Sequence, residues 1–380
     1  MNVKNFILEC QRLVMRLLKM VEEKRGVSGQ IYFQHRVPEY REMWRSVAQD
    51  VGAAFQALSE DLWELEFGGR TIRINNHQLE FDNPVTLSLA GNKPLVHQLL
   101  HKRGIAVPEF LVFQFPSLAN AYQFLSRYPR GCVIKPVAGY GGKGVTTHIR
   151  SEKECRNAAI LASVYSRELL MEPQVAGESY RLLVIEGKVV HAVRRNGLRI
   201  YGDGRHTVSE LIAQENAGRR IQGIETLEND RDFQFCMAVQ SLSLDAVIEN
   251  GASALIRVAN ETRRKRVEVR TVYDQDVTAL LCDAIKKDAE LAAEIVRSEF
   301  LGVDVITMDP SVPLRESGGV INEVNTTPAL HHHYKIDKEA YPQVALTAMS
   351  ALLMKRFAGT ESRQCQLEIL SRWNSRGCSS

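Results

Sequence analysis

Apolar residues recur at helical spacing in several parts of the chain. Within residues 1–30 they stand among Lys, Arg and Glu side chains, a pattern that predicts an amphipathic docking helix. A secretion signal would need an uninterrupted apolar stretch, and a transit peptide would lack the carboxylates of this segment. Further helices are predicted at 93–101, 151–163, 207–216, 219–250, 276–299 and 339–357.

Predicted strands alternate with these helices. A hairpin is expected at 63–74, and residues 131–195 have the pattern of several strands with one helix among them. Two apolar, β-branched segments at 302–306 and 321–325 predict a strand pair near the C-terminal end. A chain of 380 residues can bury more than one core, so two or three subdomains of mixed α and β structure are expected.

Composition narrows the class of protein. With 44% hydrophobic and 24% charged residues, the chain has the make-up of an ordinary soluble globular protein. Its formal net charge of +3 is too small to indicate a nucleic-acid partner. No segment has the roughly 20 apolar residues that span a bilayer, so no membrane partner is expected. The seven cysteines are scattered without C-x-x-C spacing, which favours reduced thiols and a cytoplasmic location.

Three oxygen-bearing side chains lie on the two C-terminal strands. Glu323 and Asn325 are two residues apart, so they face the same side of a strand, and Asp304 joins them if the strands pair. Hard oxygen donors in this number suit a magnesium ion that is held by few protein ligands and completed by nucleotide phosphates. The alternative is a polar edge strand. The apolar flanks of both segments favour the metal site.

A glycine-rich loop follows the apolar strand that contains Lys135. Its G-x-G-x-x-G spacing is followed by a β-branched run rather than a helix, which argues against a dinucleotide-binding fold. Lys143 is followed by Gly144 rather than Ser or Thr, so the segment also does not match the phosphate-binding P-loop, whose motif ends in Gly-Lys-Ser or Gly-Lys-Thr. The pattern instead predicts a hairpin lid whose backbone N–H groups close over phosphates, with a solvent-exposed glycine hairpin as the alternative. The lid and its flanks comprise Lys135, Gly141, Gly142, Lys143 and Gly144.

Another apolar strand ends at Glu172 and is followed by a short linker. The four residues of this linker can offer backbone N–H and C=O groups to a flat heterocycle. Adenine requires both a donor and an acceptor of this kind. Alone, the pattern carries little specificity.

Together and in this order, the segments resemble an ATP-grasp ligase, in particular the ATP-grasp domain of cyanophycin synthetase and of bifunctional glutathione synthetases. The resemblance covers roughly residues 89–350 and includes the segment Gly202–Ile212. It implies an α+β fold in which ATP is held between two α+β subdomains, preceded by a short N-terminal domain. The implied divisions are an N-terminal domain at 1–88, a central and lid subdomain at 89–195, a C-terminal subdomain with the metal site at 196–358, and a tail at 359–380.

The resemblance also implies roles for individual residues. ATP contacts are expected from Lys93, Lys135, Gly141, Gly142, Lys143, Gly144, Glu172, the backbone at Val175, and Glu178 at the ribose. Two Mg²⁺ ions, for which Mn²⁺ can substitute, are expected on Asp304, Glu323 and Asn325. Arg257 and Asn260 match the catalytic positions near the transferring phosphoryl group and the acyl oxygen. Substrate contacts are expected from Arg181, Arg195, Thr327 and His331.

Departures from the cyanophycin branch limit what the resemblance says about the substrate. Ser179 stands where that branch has an acid, and a basic run at 263–266 stands where it continues Leu-Ser-Thr-Gly-Gly. The run is either a solvated face or a site for an anionic acceptor. Three consecutive histidines at 331–333 cannot all face one ion from a regular element, so substrate contact or loop packing is expected there rather than a metal site.

The implied activity is that of an ATP-dependent carboxylate–amine ligase, which forms an amide or peptide bond through an acyl phosphate in small-molecule or natural-product biosynthesis. Its partners would be a small-molecule carboxylate and an amine, or a peptide, and a homodimer is expected from the family. Two alternatives are the modification of a ribosomal peptide and a non-catalytic nucleotide-binding regulator. The two lysines and the complete acidic set speak against the regulator.

Overall fold

The structure is a computed structural model that describes residues 3–24, 27–139, 143–195, 197–221, 226–229, 231–257, 275–334, 349, 350, 352, 353 and 356. Contacts group the chain into two compact units. The first combines Met1–Ser28, Pro108–Ser179 and Arg194–Gln275, and the second combines Gly29–Val107, Tyr180–Val193 and Asp276–Ser380. Each unit is therefore assembled from separate stretches of sequence. The contiguous domain boundaries that the resemblance implies stay a prediction.

Helices and strands alternate along the described residues. The helices are α1 (Val3–Lys24), α2 (Val27–Val51), α3 (Pro84–Gly91), α4 (Lys93–Lys102), α5 (Ala119–Ser126), α6 (Glu152–Ser163), α7 (Val208–Ile221), α8 (Arg231–Val239), α9 (Asp283–Val296), α10 (Leu314–Ser317) and α11 (His331–Tyr334). The strands are β1 (Ala54–Ala57), β2 (Leu62–Phe67), β3 (Arg70–Asn75), β4 (Gln78–Leu79), β5 (Leu111–Gln114), β6 (Cys132–Pro136), β7 (Thr146–Ile149), β8 (Glu168–Pro173), β9 (Glu178–Ile185), β10 (Lys188–Arg194), β11 (Leu198–Tyr201), β12 (Ser253–Arg257), β13 (Gln275–Asp276), β14 (Phe300–Thr307) and β15 (Val320–Asn325).

The first unit is built on an antiparallel sheet with the strand order β5-β8-β6-β7, beside a separate β11-β12 pair. Helix α6 begins with a capping box, in which the Ser151 hydroxyl accepts the N–H of Glu154 and the Glu154 carboxylate accepts the N–H of Ser151. β6 and β7 pair in antiparallel fashion, which confirms the two strands predicted on either side of the glycine-rich loop.

The second unit contains an antiparallel sheet with the order β1-β2-β3-β4 and a five-stranded sheet with the order β13-β10-β9-β14-β15. The hairpin predicted at 63–74 is confirmed as β2 and β3, and the turn residues Gly68 and Gly69 have φ of +57° and +75°. Trp44 and Trp63 are fully buried in the apolar core of this unit. The Trp44 indole nitrogen donates to the carbonyl of Asn76 at 2.7 Å.

Helix positions follow the sequence pattern in most segments. The helix predicted at 219–250 is wrong in extent, because α8 ends at Val239 and Ser241 has a left-handed φ of +53°. α9 begins later than the predicted residue 276, since the chain there forms the edge strand β13. The helix predicted at 339–357 lies largely outside the described residues. In the part of the chain that the structure describes, no helix is both long and apolar enough to cross a membrane.

Candidate functional site

Lys135 and Glu172 form a buried ion pair in the first unit. β6 and β8 are antiparallel with Lys135 opposite Leu170, so Glu172 lies diagonally across on the neighbouring strand. The Lys135 Nζ atom is 2.7 Å from Glu172 Oε2, and the two side chains are only 7% and 3% exposed. An isolated buried charge is costly, so each charge compensates the other. The lysine predicted to bind phosphate is thus held on a rigid sheet by the acid predicted to bind adenine.

The described end of the glycine loop shows why a glycine stands at Gly144. This residue has φ of +75°, and a Cβ atom added there would lie 2.7 Å from a ring carbon of Tyr165. Any other residue would meet both backbone strain and a steric clash. Lys143 beside it is half-buried. Gly141 and Gly142 lie outside the described residues, so their part in the lid stays a prediction.

Asp304 and Glu323 lie directly opposite each other on β14 and β15 in the second unit. The strands are antiparallel and Gly302 is opposite Asn325, so the register gathers the three predicted metal ligands at one end of the pair. A Cβ atom at Gly302 would lie 2.9 Å from the Cβ of Pro328, so glycine allows the following loop to approach the strand closely. The local pattern of two short strands therefore assembles an oxygen-rich site.

A cation holds each of the two carboxylates. Arg181, on the neighbouring strand β9, donates from Nε to Asp304 Oδ1 and from Nη2 to Asp304 Oδ2, both at 2.7 Å. The Nζ atom of Lys93, in the first turn of α4, is 3.1 Å from Glu323 Oε1. The two parallel bonds of the Arg181–Asp304 pair fix the plane of the carboxylate. The structure thus brings together Lys93, predicted to bind phosphate, and Arg181, predicted to bind substrate, with the acidic pair.

The donor set fits a magnesium ion that is shared with phosphate oxygens. Two carboxylates and one amide are few protein ligands, and Mg²⁺ bound in this way completes its shell with water or phosphate. Lys93 and Arg181 balance the two negative charges, so a metal ion here would add positive charge that anionic groups such as phosphates would have to offset. The buried amide nitrogen of Asn325 has no hydrogen-bond partner among the described residues. Within the described ranges, no group of three or more His, Cys, Asp or Glu side chains is placed to hold a metal by itself.

Glu178, predicted to contact the ribose, lies beside arginines in the first unit. Its carboxylate is 2.9 Å from Arg194 Nη1 and 4.0 Å from Arg199 Nη2. Because the Glu178 side chain is 39% exposed, solvent screens these ion pairs. Arg195, a predicted substrate contact, donates its backbone N–H to the Ser179 carbonyl at 2.8 Å. Sequence analysis did not single out Arg194 and Arg199, because an arginine on a strand carries no signal of its partner.

The remaining predicted residues lie in loops or at element ends. Val175 is half-buried in the linker after β8, and Thr327 is half-buried in the loop after β15. The backbone of Arg257 ends β12, whereas its side chain, Asn260 and the basic run at 263–266 lie outside the described residues. Their catalytic and substrate roles therefore stay predictions.

The histidine run is packed into the interior of the second unit. His331 is 5% exposed, and its Nδ1 atom is 2.8 Å from the Tyr40 hydroxyl. His333 Nδ1 lies 3.1 Å from His191 Nδ1, and His191 Nε2 lies 3.4 Å from a carboxylate oxygen of Asp276. Burial lowers the pKa of His191, and Asp276 partly opposes this effect. No local pattern could reveal these contacts, since His191 and His333 are 142 residues apart.

Curated proteins related to the chain were found by sequence comparison. The chain is 30% identical over 297 residues to cyanophycin synthetase of Crocosphaera subtropica, a match that covers 76% of the chain and 33% of that protein. It is 27% identical over 263 residues to the bifunctional glutathione biosynthesis protein GshAB of Listeria welshimeri, covering 66% of the chain and 32% of the relative. No protein-family model matches the chain.

A bifunctional glutathione synthetase from Pasteurella multocida is a structural neighbour. It aligns with a TM-score of 0.53 at 20% identity, covering 81% of this chain and 43% of the neighbour, and at this identity the likeness establishes the fold. The chain spans about a third of the length of the curated relatives, 33% and 32%, so the activities of those whole proteins do not transfer to it directly. Over the matched region, the chain is a relative of cyanophycin synthetases and bifunctional glutathione synthetases, and its fold is the α+β fold of ATP-grasp ligases.

Proposed function

We propose that the chain is an ATP-dependent carboxylate–amine ligase that forms an amide or peptide bond in small-molecule or natural-product biosynthesis. The observation that supports this proposal most directly is that Asp304 and Glu323 lie opposite each other and that each is paired with a cationic side chain. The arrangement sets two anionic and two cationic groups on rigid strands and a helix. Preorganised charge of this kind is what phosphoryl transfer between oxygen atoms requires.

The residues of the second unit divide into metal ligands and phosphate contacts. Asp304, Glu323 and Asn325 would hold Mg²⁺, which when bound neutralises phosphate oxygens and increases the electrophilicity of phosphorus. Lys93 would donate to a phosphate oxygen in place of part of its present bond to Glu323. The guanidinium of Arg181 would stabilise negative charge on the reacting oxygens once Asp304 is shared with the metal.

The residues of the first unit would bind the nucleotide. Lys135 would donate to a phosphate oxygen from a position that its bond to Glu172 fixes. Glu172 and the backbone at Val175 would contact the adenine, and Glu178 would contact the ribose after exchanging its present bond to Arg194. Because Lys135 is already immobilised, little side-chain entropy would be lost on binding.

The proposed reaction has two steps. An oxygen of the substrate carboxylate attacks the γ-phosphorus of ATP, the bond from that phosphorus to the bridging oxygen breaks, and ADP leaves with the electron pair. The amine then attacks the acyl carbon of the resulting acyl phosphate, loses a proton, and expels inorganic phosphate. Both steps build negative charge on oxygen, so Lys93, Arg181 and the metal would supply most of the catalysis.

The test is phosphate release from ATP and Mg²⁺ with a panel of carboxylic acids, each paired with amino acids, simple amines and a short peptide. Release is expected to require both an acid and an amine, and to fall by at least about 100-fold in Glu323→Gln. Glu294→Gln is the matched control, because this carboxylate also pairs with a cationic side chain, that of Arg103, but is 68% exposed. Phosphate release that does not depend on the acid and the amine would count against the ligase. The absence of phosphate release with every acid and amine, despite tight ATP binding, would also count against it.

A further inference from the structure

One side of α1 is apolar and exposed along the whole helix. This outward face has exposed fractions from 46% to 73% and consists of Val3, Phe6, Ile7, Leu13, Val14, Leu17, Leu18, Met20 and Val21. With 22 residues, α1 is about 33 Å long at 1.5 Å per residue. Contiguous apolar patches of such extent on water-soluble proteins mark sites of association.

The other side of α1 is fixed to the first unit. Leu8 is 9% exposed within an apolar core of that unit, and Arg12 donates from Nε to the carbonyl of Ser163 at 2.8 Å. Arg167 donates from both terminal nitrogens to the carboxylate of Glu9, at 2.8 and 3.1 Å. Leu8 and Arg12 are four residues apart, so they define a single inward face. These contacts hold the helix in one rotational setting and keep the outward face turned away from this core.

The outward face has the spacing of a helix-pairing seam. Counting from Val3, the a and d positions of successive heptads are Val3, Phe6, Cys10, Leu13, Leu17 and Met20. The e positions add Ile7, Val14 and Val21. An apolar stripe at a, d and e is broader than a strict two-stranded seam and is typical of helices that pack in bundles. The regular repeat points to a helical partner rather than to an irregular surface.

We propose that this face packs against the same face of a second copy of the chain, so that the two α1 helices form the centre of a two-fold dimer. A two-fold axis requires one patch that is complementary to itself, and a continuous heptad stripe satisfies this condition. Nine roughly half-exposed apolar side chains present on the order of 800 Å², about the area that each partner contributes to a standard stable interface. If fully covered, the face therefore has the area that a stable two-fold interface needs.

A bilayer surface fits α1 less well than a second copy does. Helices that lie on membranes expose a polar face rich in Lys and Arg to water. In α1, the side opposite the apolar face is instead packed on the first unit through Leu8, Glu9 and Arg12, and the exposed basic side chains among its described residues are those of Lys4 and Arg16. A lipid surface also does not require apolar residues at the a and d positions of a heptad, because lipid does not align with individual side chains as a partner helix does.

The test compares two single substitutions by sedimentation velocity of the full chain between about 1 and 100 µM. Leu17→Glu places a carboxylate in the seam of each copy, and the dissociation constant of the dimer is expected to rise at least about 100-fold. Gln11→Glu adds the same charge at an exposed position beside the seam and should leave the dimer intact. Leu17 is 63% exposed in the single chain, so both variants should keep the wild-type far-UV circular dichroism spectrum, which reports the secondary structure of each copy. If Leu17→Glu changes that spectrum, Leu13→Gln takes its place.

Cys10 reports where the copies meet, because it is exposed in the single chain and occupies an a position of the seam. Maleimide labelling of the peptide that contains Cys10, followed by mass spectrometry, should be at least about 10-fold slower in the wild type than in Leu17→Glu. A wild-type monomer at 100 µM, or a dimer in which Cys10 reacts at the rate of the variant, would overturn the proposal. A monomer that binds phosphatidylglycerol vesicles and loses this binding in Leu17→Glu would also overturn it and assign the face to a membrane.

Discussion

The buried pair of Lys135 and Glu172 allows the sharpest stability prediction. Glu172→Gln keeps the shape of the side chain but removes its charge, which leaves the ammonium of Lys135 in a site where it is 7% exposed. At the observed separation of 2.7 Å, the attraction is about 6 kcal/mol for an effective dielectric constant of about 20, before the desolvation of the two ions is subtracted. Desolvation costs several kcal/mol per ion, so the intact pair is close to neutral in net stability, whereas removing one partner costs about 3–5 kcal/mol.

The assay is thermal unfolding combined with amide hydrogen exchange. A loss of about 3 kcal/mol corresponds to a Tm lowered by about 6–12 °C for a unit of this size. The two units can unfold in separate steps, each with its own Tm. Amide hydrogen exchange rates in β6 and β8 show whether the lowered Tm belongs to the first unit, which contains these strands. Glu294→Gln is the control, because its ion pair with Arg103 is 68% and 54% exposed and should be worth less than about 1 kcal/mol.

A double substitution separates the cost of a buried charge from the loss of a favourable pair. Lys135→Met together with Glu172→Leu should recover most of the stability, because no charge remains buried. The same variant should lose ATP binding, measured by calorimetry, if both residues have the proposed role. A Tm of Glu172→Gln within about 2 °C of the wild type, or a double variant less stable than the single one, would refute the reasoning.

Two further predictions concern backbone strain and pH. Gly144→Ala should destabilise the first unit by about 1–3 kcal/mol in urea unfolding, because the new Cβ would lie 2.7 Å from Tyr165 at a left-handed φ. Gly187→Ala is the control for backbone strain alone, since Gly187 has φ of +73° and open space around it. Equal losses of stability in the two variants would exclude a contribution from the clash with Tyr165. Burial lowers the pKa of His191 from its ordinary value of 6.5, so the unfolded chain takes up more protons below that pH and stability should fall as the pH drops below about 6.5. His191→Leu should therefore narrow the difference in Tm between pH 7.5 and pH 5.5, and an unchanged difference would contradict the assignment.

Local sequence patterns were sufficient to predict the elements that carry the candidate site. The paired strands around Asp304 and Glu323 follow from apolar, β-branched runs, and the strand that carries Lys135 follows from the apolar run before the glycine-rich loop. Partners distant in sequence could not be predicted in this way. Arg181 meets Asp304, 123 residues away, only because β9 and β14 are neighbours in a sheet whose strand order differs from the chain order. The predicted helix at 219–250 was wrong in extent because apolar spacing does not reveal the left-handed conformation of Ser241.

The interleaving of the two units has a consequence for synthesis of the chain. Residues 29–107 emerge from the ribosome well before residues 276–380, with which they form one unit. Until then the apolar cluster around Trp44 and Trp63 lacks later members such as Phe300. The first unit has all its segments by residue 275, so it can fold while the second is still incomplete. Contacts over long sequence separations form slowly, and the apolar surface of the early segment is therefore a target for chaperones and for aggregation during translation.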